Sequence, residues 1–295
     1  MVPRPAVPRA RGMRLASRGR MPRVAVASHS LGSGFAGTMY AHIRRCVRPG
    51  LEIVECGVVL RKDREFLRSR LLRLLDAKPI ALVGICLQPD PETLDAFHAA
   101  GTPVVLIDEE AENASTVASD NHAGGYMAAE HLLEQGRTSI ALVVGELGTN
   151  GSYNAVQRLE GFRKALSERG VPFSQEDVVE VVDYSRKDGV AALGALLGRK
   201  RRHDAVFCAA GDVSATGILA AARDRGLRVP EDVAVLGYDD HELARMSHPP
   251  LSTLRQPLEE MAARAWQLAT EETREILARP QKVLLKPALV RRAST

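Results

Sequence analysis

A chain of 295 residues, 45% hydrophobic and 26% charged, can bury a sizeable core and is long enough for two lobes. No stretch approaches the roughly 20 apolar residues of a membrane span, and no apolar signal-peptide core follows the arginine-rich start, so the expected location is the cytoplasm, away from membranes. The net charge of +4 is local: residues 1–23 hold seven arginines and no acid, which leaves −3 on the remaining 272 residues. A basic arm on a mildly acidic body argues against a generally nucleic-acid-coating surface; it fits either a local polyanion contact or a solvated leader. The cysteines Cys46, Cys56, Cys86 and Cys208 lie far apart without CxxC spacing and read as reduced core thiols.

After the Pro/Arg-rich leader, strands and helices alternate from Arg23 onward. Runs rich in β-branched residues predict strands at residues 23–28, 51–59, 80–87 and 103–108. Between them, residues 64–75 place Leu67, Leu71, Leu74 and Leu75 at helical spacing with Phe66 at the edge of the stripe. Residues 91–100 do the same with Leu94, Phe97 and Ala100. The pattern resumes beyond Gly136, with strands expected at 139–145, 177–184, 205–210 and 232–238. In residues 226–257 (GLRVPEDVAVLGYDDHELARMSHPPLSTLRQP), Gly226 suits a helix C-cap and Pro230 keeps the helix from resuming. Val233 to Leu236 then form a short apolar run that suits a strand covered on both faces, and Gly237, Tyr238, Asp239 and Asp240 follow at its carboxyl end. Open α/β sheets place their ligand-binding loops there, which makes Asp239 a candidate contact. Two βαβ series of this kind predict an α/β fold of two doubly wound parallel-sheet lobes.

Enzyme motifs are missing from this sequence: it has no GxSxG elbow, no GxxxxGK[ST] loop and no HExxH pair, and its eight histidines form no metal-ligand pattern. Neither catalysis nor a cofactor or metal is expected. The acidic run DEEAEN at residues 108–113 reads as an exposed linker rather than a cation site.

Several segments carry a resemblance in collinear order: TPVVLID at 102–108, SDNHAGGYMAAEHLLEQG at 119–136, QRLEGFRKAL at 157–166, AVFCAAGD at 205–212, the 226–257 stretch, and PQKVLLKPALVRRAS at 280–294. Together they resemble the effector-binding core of the LacI/GalR (lactose-repressor) family of bacterial transcription regulators, with an especially close likeness in wording to its purine-repressor branch. The likeness covers the chain from about Arg23 to the C-terminus. It implies the periplasmic-binding-protein type I fold, with three interlobe crossovers placed near Gln135, Gln256 and Leu285. The expected division is a basic leader at 1–22, an N-terminal lobe at 23–135 plus 257–285, and a C-terminal lobe at 136–256 plus 286–295. The late helix at 258–277 is then expected to pack on the first lobe.

The same resemblance implies a small polar ligand in the interlobe cleft, met by side chains from several strand ends. Ser28 and Ser30 are candidate hydrogen bonders after the first strand, and Phe35 either stacks beneath a ring or packs at a helix start. The turn here departs from the family's Asn-Pro-Phe-Phe pattern at Gly32-Ser33-Gly34, so this wall is expected to differ in shape. Arg158 matches the family arginine that reaches ligand oxygens, a use that suits the guanidinium fork. Ser152 and Asn154 stand just before it with unusual polar types. Asp239 matches the ligand-accepting aspartate, and an ionised carboxylate is a good acceptor for sugar hydroxyls. Its neighbour Asp240 reads as a helix cap or a solvent-facing acid. Phe207 corresponds to an aromatic that stacks on purines, although a one-residue insertion there could instead turn it into the core. Gly211 stands where many members have asparagine, and Asp212 is a candidate replacement. Asp120 and Gln256 near the crossings either sense closure or cap and tie the strands.

At the amino end, residues 13–27 (MRLASRGRMPRVAVA) resemble the family's hinge helix running into the first strand. In the family a hinge leucine wedges into the minor groove while basic residues meet phosphates, roles that fall to Leu15, Arg14 and Arg18. A floppy leader is the other reading. A helix-turn-helix of about 45 to 50 residues has no room in this sequence. The function implied is a sensor and dimerisation core of a DNA-binding regulator. Its partners would be a sugar, polyol or purine-like effector, a second copy of the chain, and operator DNA if a helix-turn-helix is supplied upstream. A stand-alone solute-binding protein of a transporter and a cytoplasmic sensor without DNA are the alternatives.

Overall fold

The computed structural model describes residues 21–29, 31, 34–58, 64–147, 152–270 and 279–295. The chain divides into two units: one runs to Val117 and resumes over Leu258–Val283, the other comprises Ala118–Pro257 and Leu284–Thr295.

In the first unit, β1 (Arg23–Ser28) lies between the edge strand β2 (Glu52–Gly57) and β3 (Ala81–Ile85). β4 (Val104–Ile107), β5 (Ser115–Ser119) and β11 (Lys282–Leu285) extend the sheet in the order β2-β1-β3-β4-β5-β11. The pairs from β2 through β5 are parallel. β1 is buried over five consecutive residues, as a strand covered on both faces requires. Leu71 of α2 (Arg64–Leu72) and Leu94 and Phe97 of α3 (Pro91–Ala99) share a core with Ala25, Ala27, Leu82 and Leu106. The helix Leu258–Thr270 packs against α1 (Gly34–Cys46), β3 and β4, burying Met261, Ala265 and Trp266.

The second unit repeats the plan with the order β7-β6-β8-β9-β10-β12. Its strands are β6 (Ile140–Gly145), β7 (Val178–Val181), β8 (Ala205–Cys208), β9 (Ala234–Asp239), β10 (Ser252–Arg255) and β12 (Ala288–Val290), all parallel except the antiparallel β10/β12 edge. Two-residue periodicity sorts β6 onto both faces. Leu142 and Val144 join the core under α4 (Asn121–Glu134) and α5 (Tyr153–Glu168), while Ala141 and Val143 join the core under α6 (Arg186–Leu197) and α7 (Asp212–Asp224). α4 and α5 cross so closely that a Cβ on Gly125 would strike the carbonyl oxygen of Arg158, and one on Gly161 that of His122. This contact sets the backbone of Arg158 against the first turns of α4.

Two sequence expectations are corrected here, and two strands are added. The first crossing falls at Val117, not near Gln135, because α4 packs on α5 and gives Ala128, Ala129 and Leu132 to the second unit's core. The other crossings fall after Pro257 and Val283. The run DEEAEN is no exposed linker at its start: Asp108 turns with φ 62° and is buried, and so is Glu109. Gln88 Nε2 donates to Glu109 Oε2 at 3.0 Å, yet burial pushes this carboxyl from the ordinary 4.5 up to about 7. Finally, β5 and β10 are additional short strands, whose serines and threonines hide them from a search for apolar runs. All four cysteines are free thiols, with Cys56 and Cys208 buried and the other two half-buried.

Candidate ligand site in the second unit

The carboxyl ends of β8, β9 and β10 and the amino-terminal turns of α4, α5 and α7 bring together a buried polar group centred on Arg158 and Asp239. Arg158 lies on the inner face of α5, with Nε donating to Asn121 Oδ1 at 2.8 Å and a terminal nitrogen donating to the Ala209 carbonyl at 2.7 Å. Its guanidinium carbon sits 3.7 Å from the centroid of the Tyr238 ring, a desolvated cation–π stack. Tyr238, fully buried, donates its hydroxyl to the same Asn121 oxygen at 3.2 Å. Asn121 is fixed in turn by its amide, which donates to the Ser119 carbonyl at 3.1 Å.

Asp239 ends β9 with φ 108°, a left-handed conformation unusual for a residue with a Cβ and of the kind that marks functional loops. Gln256 Nε2 donates to its Oδ1 at 2.6 Å, and His241 Nε2 lies 3.8 Å from its Oδ2. Burial raises the Asp239 carboxyl above the usual range, against the opposing pull of Arg158, His241 and Gln256. Behind it, Asp212 is fully buried, accepting from Thr253 Oγ1 at 2.7 Å and from the His241 backbone N–H at 2.8 Å. Burial first and the charge of Asp239 second push Asp212 well above the ordinary aspartate range. Two carboxyls so close resist carrying two negative charges at once. Gly237 permits the approach, since a Cβ there would run into Asp212 Oδ1. Gly211, at φ 107°, faces Asp239 Oδ2, so a side chain at this position would crowd that carboxylate.

Arg158, Asp239 and Gln256 are thus assembled together. Gln256 is 3% exposed, and its Oε1 has no hydrogen-bond partner among the described residues. Asn154 lies one turn before Arg158 on α5 and accepts from Ser152 Oγ. Asp120 caps α4, accepting from Ala123 N at 2.9 Å while its own N–H donates to the Leu285 carbonyl at 2.7 Å. Phe35 stands half-buried in the opening turn of α1, in the first unit, and Ser28 is buried at the end of β1. Ser30, Leu15, Arg14 and Arg18 lie outside the described residues.

Phe207 needs correction as a ligand contact. It is fully buried midway along β8, its ring 5.4 Å from Phe162 and 6.4 Å from Tyr238, so it belongs to the core. Asp212 is likewise enclosed, supporting the Asp239 loop from below rather than offering a surface. Asp240 is neither cap nor solvent-facing acid: its two oxygens accept from Arg255 Nε and Arg292, both at 2.6 Å. Sequence reasoning missed Asn121, Tyr238 and Thr253 as members of the group. Asn121 and Tyr238 stand inside the quoted segments, beside Asp120 and Asp239, but nothing in their spacing marks two residues 117 apart as partners.

Residues 129–295 match the family model for the periplasmic binding protein-like domain. The chain is 36% identical over 218 residues to the HTH-type transcriptional regulator DegA of Bacillus subtilis, covering 73% of this chain and 63% of that protein. It is 30% identical over 263 residues to the HTH-type transcriptional repressor PurR of Pasteurella multocida, covering 88% of this chain and 77% of the repressor. The chain belongs to the LacI family. Among solved structures, the transcriptional regulator CelR in complex with cellobiose superposes with a TM-score of 0.80 at 29% identity, over 94% of this chain and 85% of that one. CcpA of Lactococcus lactis shares the fold with a TM-score of 0.78 at 24% identity, over 94% of this chain and all of that one. This LacI-family chain therefore spans just under two thirds of the length of DegA and about three quarters of that of PurR. It carries the regulator's periplasmic-binding-protein-like core, and among the described residues no helix is long and apolar enough to cross a membrane.

Proposed function

We propose that the chain is the effector-sensing and dimerisation core of a cytoplasmic DNA-binding repressor, and that its effector is a sugar or sugar-like polyol. The observation that carries the reading is the convergence of Arg158, Asp239 and Gln256 at the strand ends of the second unit. A guanidinium fork, a half-buried carboxylate and an amide whose oxygen has no partner among the described residues offer donors and acceptors in the alternation that vicinal hydroxyls require. The cellobiose bound to CelR supports the sugar class. The burial of Phe207 speaks against a nucleobase, since the residue expected to stack on it is enclosed in the core. Effector binding at Asp239, next to the crossing at Pro257, biases the conformation that sets operator affinity in the dimer. A thermal-shift panel of mono- and disaccharides and purines tests this on the wild type and on Asp239→Ala. A sugar that raises Tm in the wild type and not in the variant is the expected result. A shift by purines alone, or a sugar shift that survives in Asp239→Ala, overturns it. For DNA, translating the frame upstream of Met1 is expected to show a helix-turn-helix, and an in-frame stop there would sink that part.

A further inference from the structure

The second unit holds a cavity of about 140 Å³ at the end of its sheet opposite to Asp239, near the amino ends of β8 and β9. Leu193, Leu196 and Leu197 of α6 wall it together with Val206, Leu227 and Val233. Three polar residues complete the lining: Arg202, His203 and Asp232. Two of these are already engaged. Asp232 accepts from Arg228 through the backbone N–H at 2.8 Å and through the guanidinium at 3.0 and 2.6 Å, which neutralises its charge. His203 Nε2 is held 2.9 Å from Asp177 Oδ1, and Asp177 also receives Arg201 at 2.9 Å. The Arg202 side chain has no acidic partner among the described residues, so the cavity combines an apolar wall with one uncompensated cation.

We propose that this cavity is a second ligand site, for a small carboxylate bearing an aliphatic or aromatic group. A dry apolar cavity of roughly 150 Å³ is large enough for a benzene ring. The ring or branched alkyl group lies against the leucines and valines, while the carboxylate meets the guanidinium of Arg202, which suits planar bidentate acceptors. Such a ligand binds only the folded second unit and stabilises it by mass action, independently of occupancy at Asp239.

Methyl NMR of the full chain, titrated with benzoate and with the neutral benzyl alcohol, tests the site. Benzoate is expected to cause saturable shifts at Leu193, Leu196, Val206, Leu227 and Val233, and to bind more tightly than the alcohol. Arg202→Gln, an exposed substitution, is expected to weaken benzoate by about three- to fivefold while leaving the alcohol unchanged. Leu197→Trp is expected to occlude the cavity and abolish both. The proposal fails if no saturable shift occurs up to about 20 mM, beyond the millimolar range such a small ligand reaches. It also fails if the preference for benzoate survives in Arg202→Gln, or if the shifts gather around Tyr238 instead.

Discussion

Arg158 and Tyr238 are locked to each other from two directions: the guanidinium carbon lies over the phenol ring, 3.7 Å from its centroid, and both side chains donate to the same oxygen of Asn121. One residue comes from α5 and the other from β9, so this pair fixes the helix that carries one candidate ligand contact to the strand that ends in the other. Arg158→Lys tests the pair. An ammonium cannot cover the ring and reach both Asn121 and the Ala209 carbonyl. The loss of one charge-assisted bond and the stacking predicts a destabilisation of about 2 kcal/mol, measured by urea unfolding, with effector affinity falling at least about tenfold. Wild-type affinity in the lysine variant would remove Arg158 from the site.

Tyr238→Phe separates the two roles. The variant keeps the ring beneath the guanidinium and removes the hydroxyl that donates to Asn121, whose oxygen still accepts from Arg158. A loss of about 1 kcal/mol is expected, with effector affinity within a factor of about three of the wild type.

Phe207 distinguishes core from ligand wall. Enclosed between Phe162 and Tyr238, it predicts that Phe207→Ala costs about 3 to 5 kcal/mol, while the milder Phe207→Leu leaves effector binding unchanged. Calorimetric titration of Phe207→Leu checks this, and a large drop in affinity would return Phe207 to the binding surface.

What the sequence made legible followed from periodicity. The apolar strand runs and the Leu67, Leu71, Leu74 stripe predicted alternating elements, and the two doubly wound sheets match them. Asp239 was readable because Gly-Tyr-Asp ends an apolar strand, and the collinear segments added Arg158. The rest depends on contacts that spacing does not encode. Asn121 meets Tyr238 where Gly124 leaves room on α4 for the phenol, since a Cβ at that position would lie 2.5 Å from the Tyr238 oxygen. The polar strands β5 and β10 are fixed by their sheet neighbours rather than by an apolar pattern of their own. The position of the first crossing is set by which unit α4 packs on, and an amphipathic helix does not announce its partner.

Gly161 makes the helix crossing testable. A Cβ there meets the backbone carbonyl of His122, which has no rotamer by which to move away. Although alanine is the better helix former, Gly161→Ala is expected to destabilise the protein by about 3 kcal/mol, because relief requires the helices to separate. Because the crossing positions Arg158, the effector-induced shift in Tm is expected to shrink as well. A variant as stable as the wild type would show that α4 and α5 can separate freely.

Glu109 predicts a pH dependence whose sign follows from its burial. Its folded value of about 7 lies above the ordinary 4.5, so between these the folded protein holds a proton that the unfolded chain has released. Stability then falls as pH rises through this window, by up to about 3 kcal/mol, and is flat on either side. The charge of Asp108 adds to the rise, whereas the bond from Gln88 works against it. Glu109→Gln carries no charge at any pH and keeps an acceptor for Gln88. Its advantage over the wild type is therefore expected to be small below pH 4.5 and to reach its full size above pH 7, as measured by urea unfolding across that range. An advantage that does not change with pH would mean that the carboxyl titrates at its ordinary value and that water reaches it in the folded chain.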